Sequence, residues 1–143
     1  SSMALANIGY AYGRPGRFVQ SVKIYQQVLE QVDDPEELHH IYWELGWDCF
    51  MADQYEKALE YTDLAIVGQD KPELILLFNK GLMLLALGRV DEAEELYAQA
   101  MQRAEVEEQG EVLAEASKDL GEFLARKAVD IEPDSAMSKL LRG

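Results

Sequence analysis

The stretch HHIYWELGWDCFM (His39–Met51), followed by QYEKALEYTDLAIV (Gln54–Val67), decides the fold of this chain. Apolar residues recur at helical spacing in both halves. Gly46 and Ala58 lie near the middle of the two halves, and small residues there allow two helices to approach each other closely. The break between the halves, Ala52-Asp53-Gln54, is short enough to force an antiparallel pair. The stretch therefore predicts a helical hairpin.

The pattern of this hairpin occurs three times along the chain. Its two small positions are 12 residues apart in every copy, at Gly9 and Ser21, at Gly46 and Ala58, and at Gly81 and Ala93. The copies are offset by 37 and then by 35 residues. An aromatic residue follows four positions later in the outer copies (Tyr25 and Tyr97), and Thr62 takes its place in the central copy. One spacing found three times indicates a helical repeat.

These residues resemble the tetratricopeptide repeat (TPR) family, whose unit is a 34-residue helix–turn–helix. The resemblance is carried by Leu5, Ile8, Gly9, Tyr12, Ser21 and Tyr25 in the first copy, by Tyr42, Leu45, Gly46, Ala58 and Ala65 in the second, and by Leu77, Gly81, Leu84, Ala93, Tyr97 and Ala100 in the third. Lys80 and Thr62 depart from the family pattern, which affects single packing contacts rather than the fold.

The resemblance implies an all-α fold, namely a right-handed α-solenoid of three TPR helical hairpins with a C-terminal capping helix. We expect a single domain over residues 1–143, with repeats at about 2–33, 35–70 and 72–106 and with the capping helix and tail at 109–143. Stacking is essential to such a fold, because one hairpin cannot bury its apolar face alone.

Helix boundaries follow from proline, glycine and capping residues. Asp34 is a good N-cap before Pro35 at the first helical position, and Gly88 favours a helix end. Besides the central hairpin, helices are predicted over about 3–12, 17–32, 73–87, 90–104 and 109–129. A short helix through Met137, Leu140 and Leu141 is expected after them.

The composition favours a globular protein that binds neither nucleic acid nor membranes. The chain has 13 Lys and Arg against 27 Asp and Glu, a net charge of −14, which opposes binding to phosphates and to anionic lipids. No stretch approaches the ~18 consecutive apolar residues of a membrane span, so no membrane insertion is expected. The single cysteine, Cys49, cannot form an internal disulfide, which favours a reducing, cytoplasmic location.

Catalytic motifs are absent from the sequence. There is no glycine-rich phosphate loop, no paired-cysteine metal site and no H-E-x-x-H motif. His39 and His40 are adjacent, so on a helix they point about 100° apart and make a poor chelate. Cys49 lies beside Asp48 without a plausible base and is predicted to be packed core. We therefore predict a protein that is not an enzyme and that uses no cofactor and no metal.

A second apolar stripe on the first helix of each hairpin is the candidate site. Proteins that resemble the TPR family bind peptides in a concave groove lined by these first helices. We expect the partner-binding groove to contain Tyr10, Trp43, Trp47, Phe50, Met51, Ile75, Phe78 and Leu82. Trp43, Trp47 and Phe78 should project furthest towards a partner. For Phe50, and for Leu85 next to the groove, packing between neighbouring helices is an equal alternative.

The side chains of this stripe indicate what kind of partner would fit. One subtype of the fold holds acidic peptide ends with Lys and Asn, but Asn79 and Lys118 are the only polar candidates here, so an apolar segment or an amphipathic helix is the better prediction. Eleven acidic and two basic residues lie between Asp91 and Glu122. That charge is either a solvated face or an attraction for a basic partner.

The sequence leaves three functions open. The first is a protein–protein interaction scaffold that binds an apolar or amphipathic peptide or helix of a partner. The second is a self-assembly module, in which a homodimer covers the same groove. The third is a small acidic chaperone of the kind that serves secretion systems. The segment Met137–Leu141 is a further candidate for covering the groove.

Overall fold

Helices form all the regular secondary structure of residues 17–143, which are the residues that the computed structural model describes. They are α1 (Phe18–Leu29), α2 (Pro35–Met51), α3 (Tyr55–Ile66), α4 (Leu74–Ala86), α5 (Val90–Val106), α6 (Gly110–Lys127) and α7 (Ala136–Arg142). The prediction of an all-α fold is confirmed. The helix predicted over residues 3–12, and with it Tyr10, lies outside the described residues.

The chain forms two compact units, Ser1–Asp70 and Lys71–Gly143. Helices α1 to α3 belong to unit 1, and α4 to α7 belong to unit 2. In the described part of the chain, no helix is long and apolar enough to cross a membrane. The stacking of the hairpins into a right-handed solenoid, and their division into three repeats and a cap, stay predictions.

Helix α2 begins where the sequence predicts. The side chain of Asp34 accepts a hydrogen bond of 3.1 Å from the backbone N–H of Glu37, which satisfies one of the free donors at the helix start. Pro35 takes the first helical position, where its missing N–H costs nothing. Glu36 and Glu37 lie in the first turn, where the helix dipole favours negative charge.

Helices α2 and α3 pack closely because the residues between them are small. A Cβ atom added to Gly46 would lie 3.4 Å from the carbonyl oxygen of Ala58 and would overlap the hydroxyl of Thr62. Leu45 and Cys49 on α2 and Ala58 on α3 are fully buried. The central hairpin therefore has the close contact that its small residues predict.

The hairpin of α4 and α5 in unit 2 repeats this arrangement with a larger side chain. A Cβ atom added to Gly81 would lie 2.8 Å from Cε2 of Tyr97, so the tyrosine ring rests on the glycine. Thr62 and Tyr97 occupy the same position of the repeat pattern, four residues after Ala58 and Ala93. In both hairpins, the side chain at this position of the second helix thus packs on the glycine of the first helix.

Three turns have the same backbone structure, and each contains a residue with positive φ. These residues are Asp53 (φ 62°) after α2, Gly88 (φ 79°) after α4 and Glu108 (φ 56°) after α5. In each turn the next N–H donates to a carbonyl five residues earlier, as Gln54 does to Cys49 at 2.8 Å. This is the Schellman arrangement of a helix C-terminus.

Unit 2 ends with a helix that docks onto two others. Helix α7 packs against α5 and α6. The carboxylate of Glu94 on α5 accepts hydrogen bonds from the backbone N–H of Ala136 and, at 3.3 Å, from that of Met137. Met137 and Leu140 are buried. The segment Met137–Leu141 therefore lies on α5 and α6, and it does not cover the predicted groove face of α4.

Candidate partner-binding surface

A stripe of half-buried side chains runs along α2 in unit 1. It consists of His39, Trp43, Trp47 and Met51, which are four residues apart and so lie on one side of the helix. Each of them keeps part of its surface open to solvent. We call these four residues the aromatic stripe. It places both tryptophans of the chain, which were predicted to project furthest, on one accessible surface.

Residues beneath and beside the aromatic stripe hold it in place. The ring of Phe50 stacks on that of Trp47 with centroids 5.4 Å apart and also contacts Tyr55 at 5.5 Å. The imidazole of His39 meets Trp43 edge-on at 5.9 Å, and its Nδ1 lies 2.9 Å from the carbonyl oxygen of Ala65. The stripe is therefore an ordered surface, which loses little side-chain freedom when something binds to it.

A buried acid lies behind the aromatic stripe. Asp48 is 4% exposed, and its Oδ2 accepts a hydrogen bond of 2.5 Å from the hydroxyl of Ser21 on α1. Burial raises the pKa of Asp48 to about 7; the hydrogen bond from Ser21 works against this rise, and the charge of Glu44 adds to it. The pair ties α1 to the helix that carries the stripe.

The single cysteine of the chain, Cys49 on α2, is not an activated nucleophile. Burial raises the pKa of the Cys49 thiol to about 12, and the neighbouring Asp48 adds to the shift. The thiol is fully buried and stays protonated at neutral pH, whereas reactive cysteines need a lowered pKa and access to solvent. Cys49 is packed core, as the sequence indicates.

Three of the predicted groove residues are buried. Phe50 and Phe78 are each 2% exposed, and Leu82 is 1% exposed. The ring of Phe78 contacts that of Tyr97 at 5.7 Å. The burial of Phe78 differs from the expectation that this residue projects towards a partner. The burial of Phe50, and likewise that of Leu85, agrees with the alternative that these two side chains are packed.

The remaining predicted groove residues lie in different parts of the chain. Trp43, Trp47 and Met51 are together in unit 1, Ile75 is half-buried in unit 2, and Tyr10 lies outside the described residues. A groove made by all eight residues therefore stays a prediction.

Two features of this surface were not predicted from the sequence. His39 extends the aromatic stripe by one turn, and its spacing of four residues from Trp43 was a signal for that. The bond between Ser21 and Asp48 had no such signal, because 27 residues separate the two side chains.

Comparison with known families finds a match. The family model described as Iml2/Tetratricopeptide repeat protein 39 matches residues 1–134. No curated protein sequence matches the chain. The family match covers all three copies of the repeat pattern, and it confirms the resemblance on which the fold prediction was based.

Proposed function

The chain belongs to the Iml2/Tetratricopeptide repeat protein 39 family, and on this premise we propose that its aromatic stripe binds an apolar or amphipathic segment of a partner protein. Membership of a TPR-type family indicates a protein–protein interaction scaffold and therefore protein partners. Domains of this kind are generally non-catalytic. The observation that carries the finer proposal is the stripe itself, with Trp43 and Trp47 on one ordered and accessible side of α2.

Tryptophan is the residue most suited to such a surface. Its large apolar ring gains free energy when it is removed from water, and its N–H still needs a hydrogen-bond partner. Tryptophans near the centre of an interface are frequent binding hot spots. Trp47 is the better anchor of the two, because the buried ring of Phe50 stacks on it and is itself held by Tyr55.

The charge near the stripe favours a partner that carries positive residues. Glu44 lies within the length of the stripe on α2, and the whole chain has a net charge of −14. Charges of this kind raise the association rate of an oppositely charged partner and select against an acidic one. We therefore propose a partner segment with apolar anchors and basic flanks.

We also propose a reducing, cytoplasmic location. The support is that the single cysteine of the chain, Cys49, is unpaired and buried in the core. Secreted domains more often pair their cysteines in disulfides.

Tryptophan fluorescence tests the binding proposal directly, because both tryptophans of the chain lie on the stripe. Peptides selected from a random library on the wild-type protein should shift the emission to the blue when they bind. Trp47→Ala should then weaken binding by about 2 kcal/mol or more. Leu64→Ala, at an exposed position on α3, is the matched control and should leave the affinity unchanged.

The same measurement separates a scaffold from a self-assembly module. A red emission maximum and a monomer mass at every protein concentration support an open stripe that awaits a partner. A blue maximum that moves to the red only as a dimer dissociates would mean that a second copy covers the stripe. Peptide affinities that are equal for Trp47→Ala and for wild type would refute the assignment of the site.

A further inference from the structure

A cleft of ≈ 690 Å³ lies in unit 2 where α5, α6 and α7 meet. Its apolar lining comes from Met101 on α5, Leu113 and Ala114 on α6, and Leu140 on α7. Glu105 and Lys139 bring charge to it. The volume falls within the range of about 300–1,000 Å³ that is usual for binding pockets.

Helix α7 already shows what kind of segment α5 and α6 accept. Met137 and Leu140 are buried against these two helices, whereas Lys139 and Arg142 are exposed. Helix α7 is thus a short amphipathic helix with basic residues beside its apolar ones. The cleft is lined by the C-terminal half of α7, so it continues the groove that α7 occupies.

Two glutamates on α5 mark the two parts of this groove. Glu94 and Glu105 are 11 residues apart, about three helical turns, so both lie on the side of α5 that faces α7 and the cleft. The carboxylate of Glu94 holds the first N–H groups of α7. Glu105 lines the cleft and is exposed to solvent. Glu105 is therefore placed to receive a donor from a second segment, as Glu94 does from α7.

The charge around the cleft indicates which charge a bound segment should carry. Helices α5 and α6, which form two walls of the cleft, together carry nine acidic and four basic side chains, and the lining itself contains the acid Glu105 and the base Lys139. One of the four basic residues, Arg103, is already bonded to Glu107 at 2.9 Å. An apolar segment that carries Lys or Arg would be attracted here, and an acidic one would be repelled.

We propose that this cleft is a second docking site, which binds an amphipathic helix of a partner protein with apolar residues on one face and Lys or Arg beside them. The site is separate from the aromatic stripe, since all of its residues belong to unit 2. The protein would then hold two segments, one at each site, and linked binding of two segments raises the overall affinity.

The probe for this site is a synthetic amphipathic helix of leucine and lysine, about four turns long. Methionine methyl groups, isotope-labelled for NMR, report where it binds, because Met101 lines the cleft and Met51 lies on the aromatic stripe. The peptide should shift the Met101 signal with a Kd of roughly 10–100 µM. A control peptide with alanine in place of leucine should leave that signal unchanged.

Variants of the full chain locate the contact. Ala114→Trp fills the cleft and should weaken peptide binding by about tenfold or more. Ala125→Trp, at an exposed position of the same helix, is the matched control and should have no effect. Glu105→Lys should weaken binding by about two- to fivefold, as expected for an exposed charge pair.

Each outcome decides for or against the cleft. A Met101 signal that does not move, or an affinity that is the same for Ala114→Trp and Ala125→Trp, would overturn the inference. Equal binding of the alanine peptide would also overturn it, because attraction by charge alone would then explain the result. A shift at Met51 without one at Met101 would overturn the cleft while leaving the aromatic stripe as a binding site.

Discussion

The hydroxyl of Ser21 donates a hydrogen bond of 2.5 Å to Oδ2 of Asp48, and both side chains are buried. Ser21 is the small residue of the first repeat copy, where the other copies have Ala58 and Ala93. The hydroxyl at this position therefore supplies the donor that a buried carboxyl needs.

Replacing Asp48 by asparagine should stabilise the protein at high pH and not at low pH. The pKa of Asp48 is about 7 in the folded protein against an ordinary value of 3.8, so folding favours the protonated form. The stability that Asp48 contributes is complete below 3.8 and is lost as the pH rises to about 7. Above that pH, Asp48→Asn should raise the free energy of unfolding by up to about 4 kcal/mol.

Urea unfolding of wild type and Asp48→Asn across this pH range is the measurement. The asparagine oxygen still accepts the bond from Ser21, so packing is kept. Asp33→Asn, at an exposed position of the same unit, should not change the pH dependence. If the Asp48→Asn curve ran parallel to that of wild type, Asp48 would not titrate in this range.

Alanine at position 46 should destabilise the central hairpin. The added Cβ would overlap the hydroxyl of Thr62, and overpacking of this kind costs about 1–3 kcal/mol. The check is thermal unfolding of Gly46→Ala beside Gly110→Ala, whose added Cβ meets nothing within 4 Å. Combining Gly46→Ala with Thr62→Ala should recover part of the loss. A double variant as unstable as the sum of the single variants would argue against this contact.

Removing the carboxylate of Glu94 should loosen α7. Its two hydrogen bonds to the start of α7 would be lost, at a cost of about 1–3 kcal/mol. Hydrogen exchange should then accelerate over residues 136–142 in Glu94→Ala, with little change in α4. Glu95→Ala removes a neighbouring carboxylate that is exposed. In this variant the amide hydrogens of α7 should exchange as fast as in the wild type. Unchanged protection of α7 in Glu94→Ala would mean that apolar packing alone holds this helix.

Glycine at position 108 should stabilise unit 2. Glu108 has a φ of 56°, which a side chain with a Cβ adopts only at a cost, and glycine removes that cost. The free energy of unfolding of Glu108→Gly should rise by up to about 1 kcal/mol. Gly88→Ala makes the reverse change in an equivalent turn and should lower stability by a similar amount. A Glu108→Gly protein less stable than wild type would show that flexibility of the unfolded chain outweighs the backbone strain.

Local sequence signals predicted most of the helices. The described helices begin and end near the predicted positions, because Pro35 and Gly88 fix helix ends through their own backbone properties. The contact at Gly46 was predictable for the same reason, since a missing side chain on a helix face shows directly where another helix can approach.

Exposure was harder to predict than helix position. Phe78 and Leu82 share a stripe with Ile75, but α4 packs against both α5 and α6, so a second face of the helix is covered. The sequence of α4 contains a clue, because it is apolar almost all the way round apart from Asn79 and Lys80, and such helices are usually buried. The periodicity of a sequence shows which faces of a helix are apolar, but it does not show how many neighbouring helices cover them.

Contacts between distant residues could not be predicted. Glu94 reaches α7 across 42 residues of chain, and Ser21 reaches Asp48 across 27. Each bond depends on the three-dimensional arrangement of whole helices, and no local spacing in the sequence encodes it.

The recurrence of one turn has a consequence for how such a chain can grow. Asp53 and Gly88 occupy equivalent points of two turns that are 35 residues apart. A tandem duplication of the segment from Gln54 to Gly88 would place Gln54 directly after Gly88. The first part of the turn after α4 would then be followed by the last part of the turn after α2. Both sides of the new junction already have the same backbone hydrogen bonds. Recombination at these points would therefore lengthen the protein by one hairpin without creating a new kind of turn.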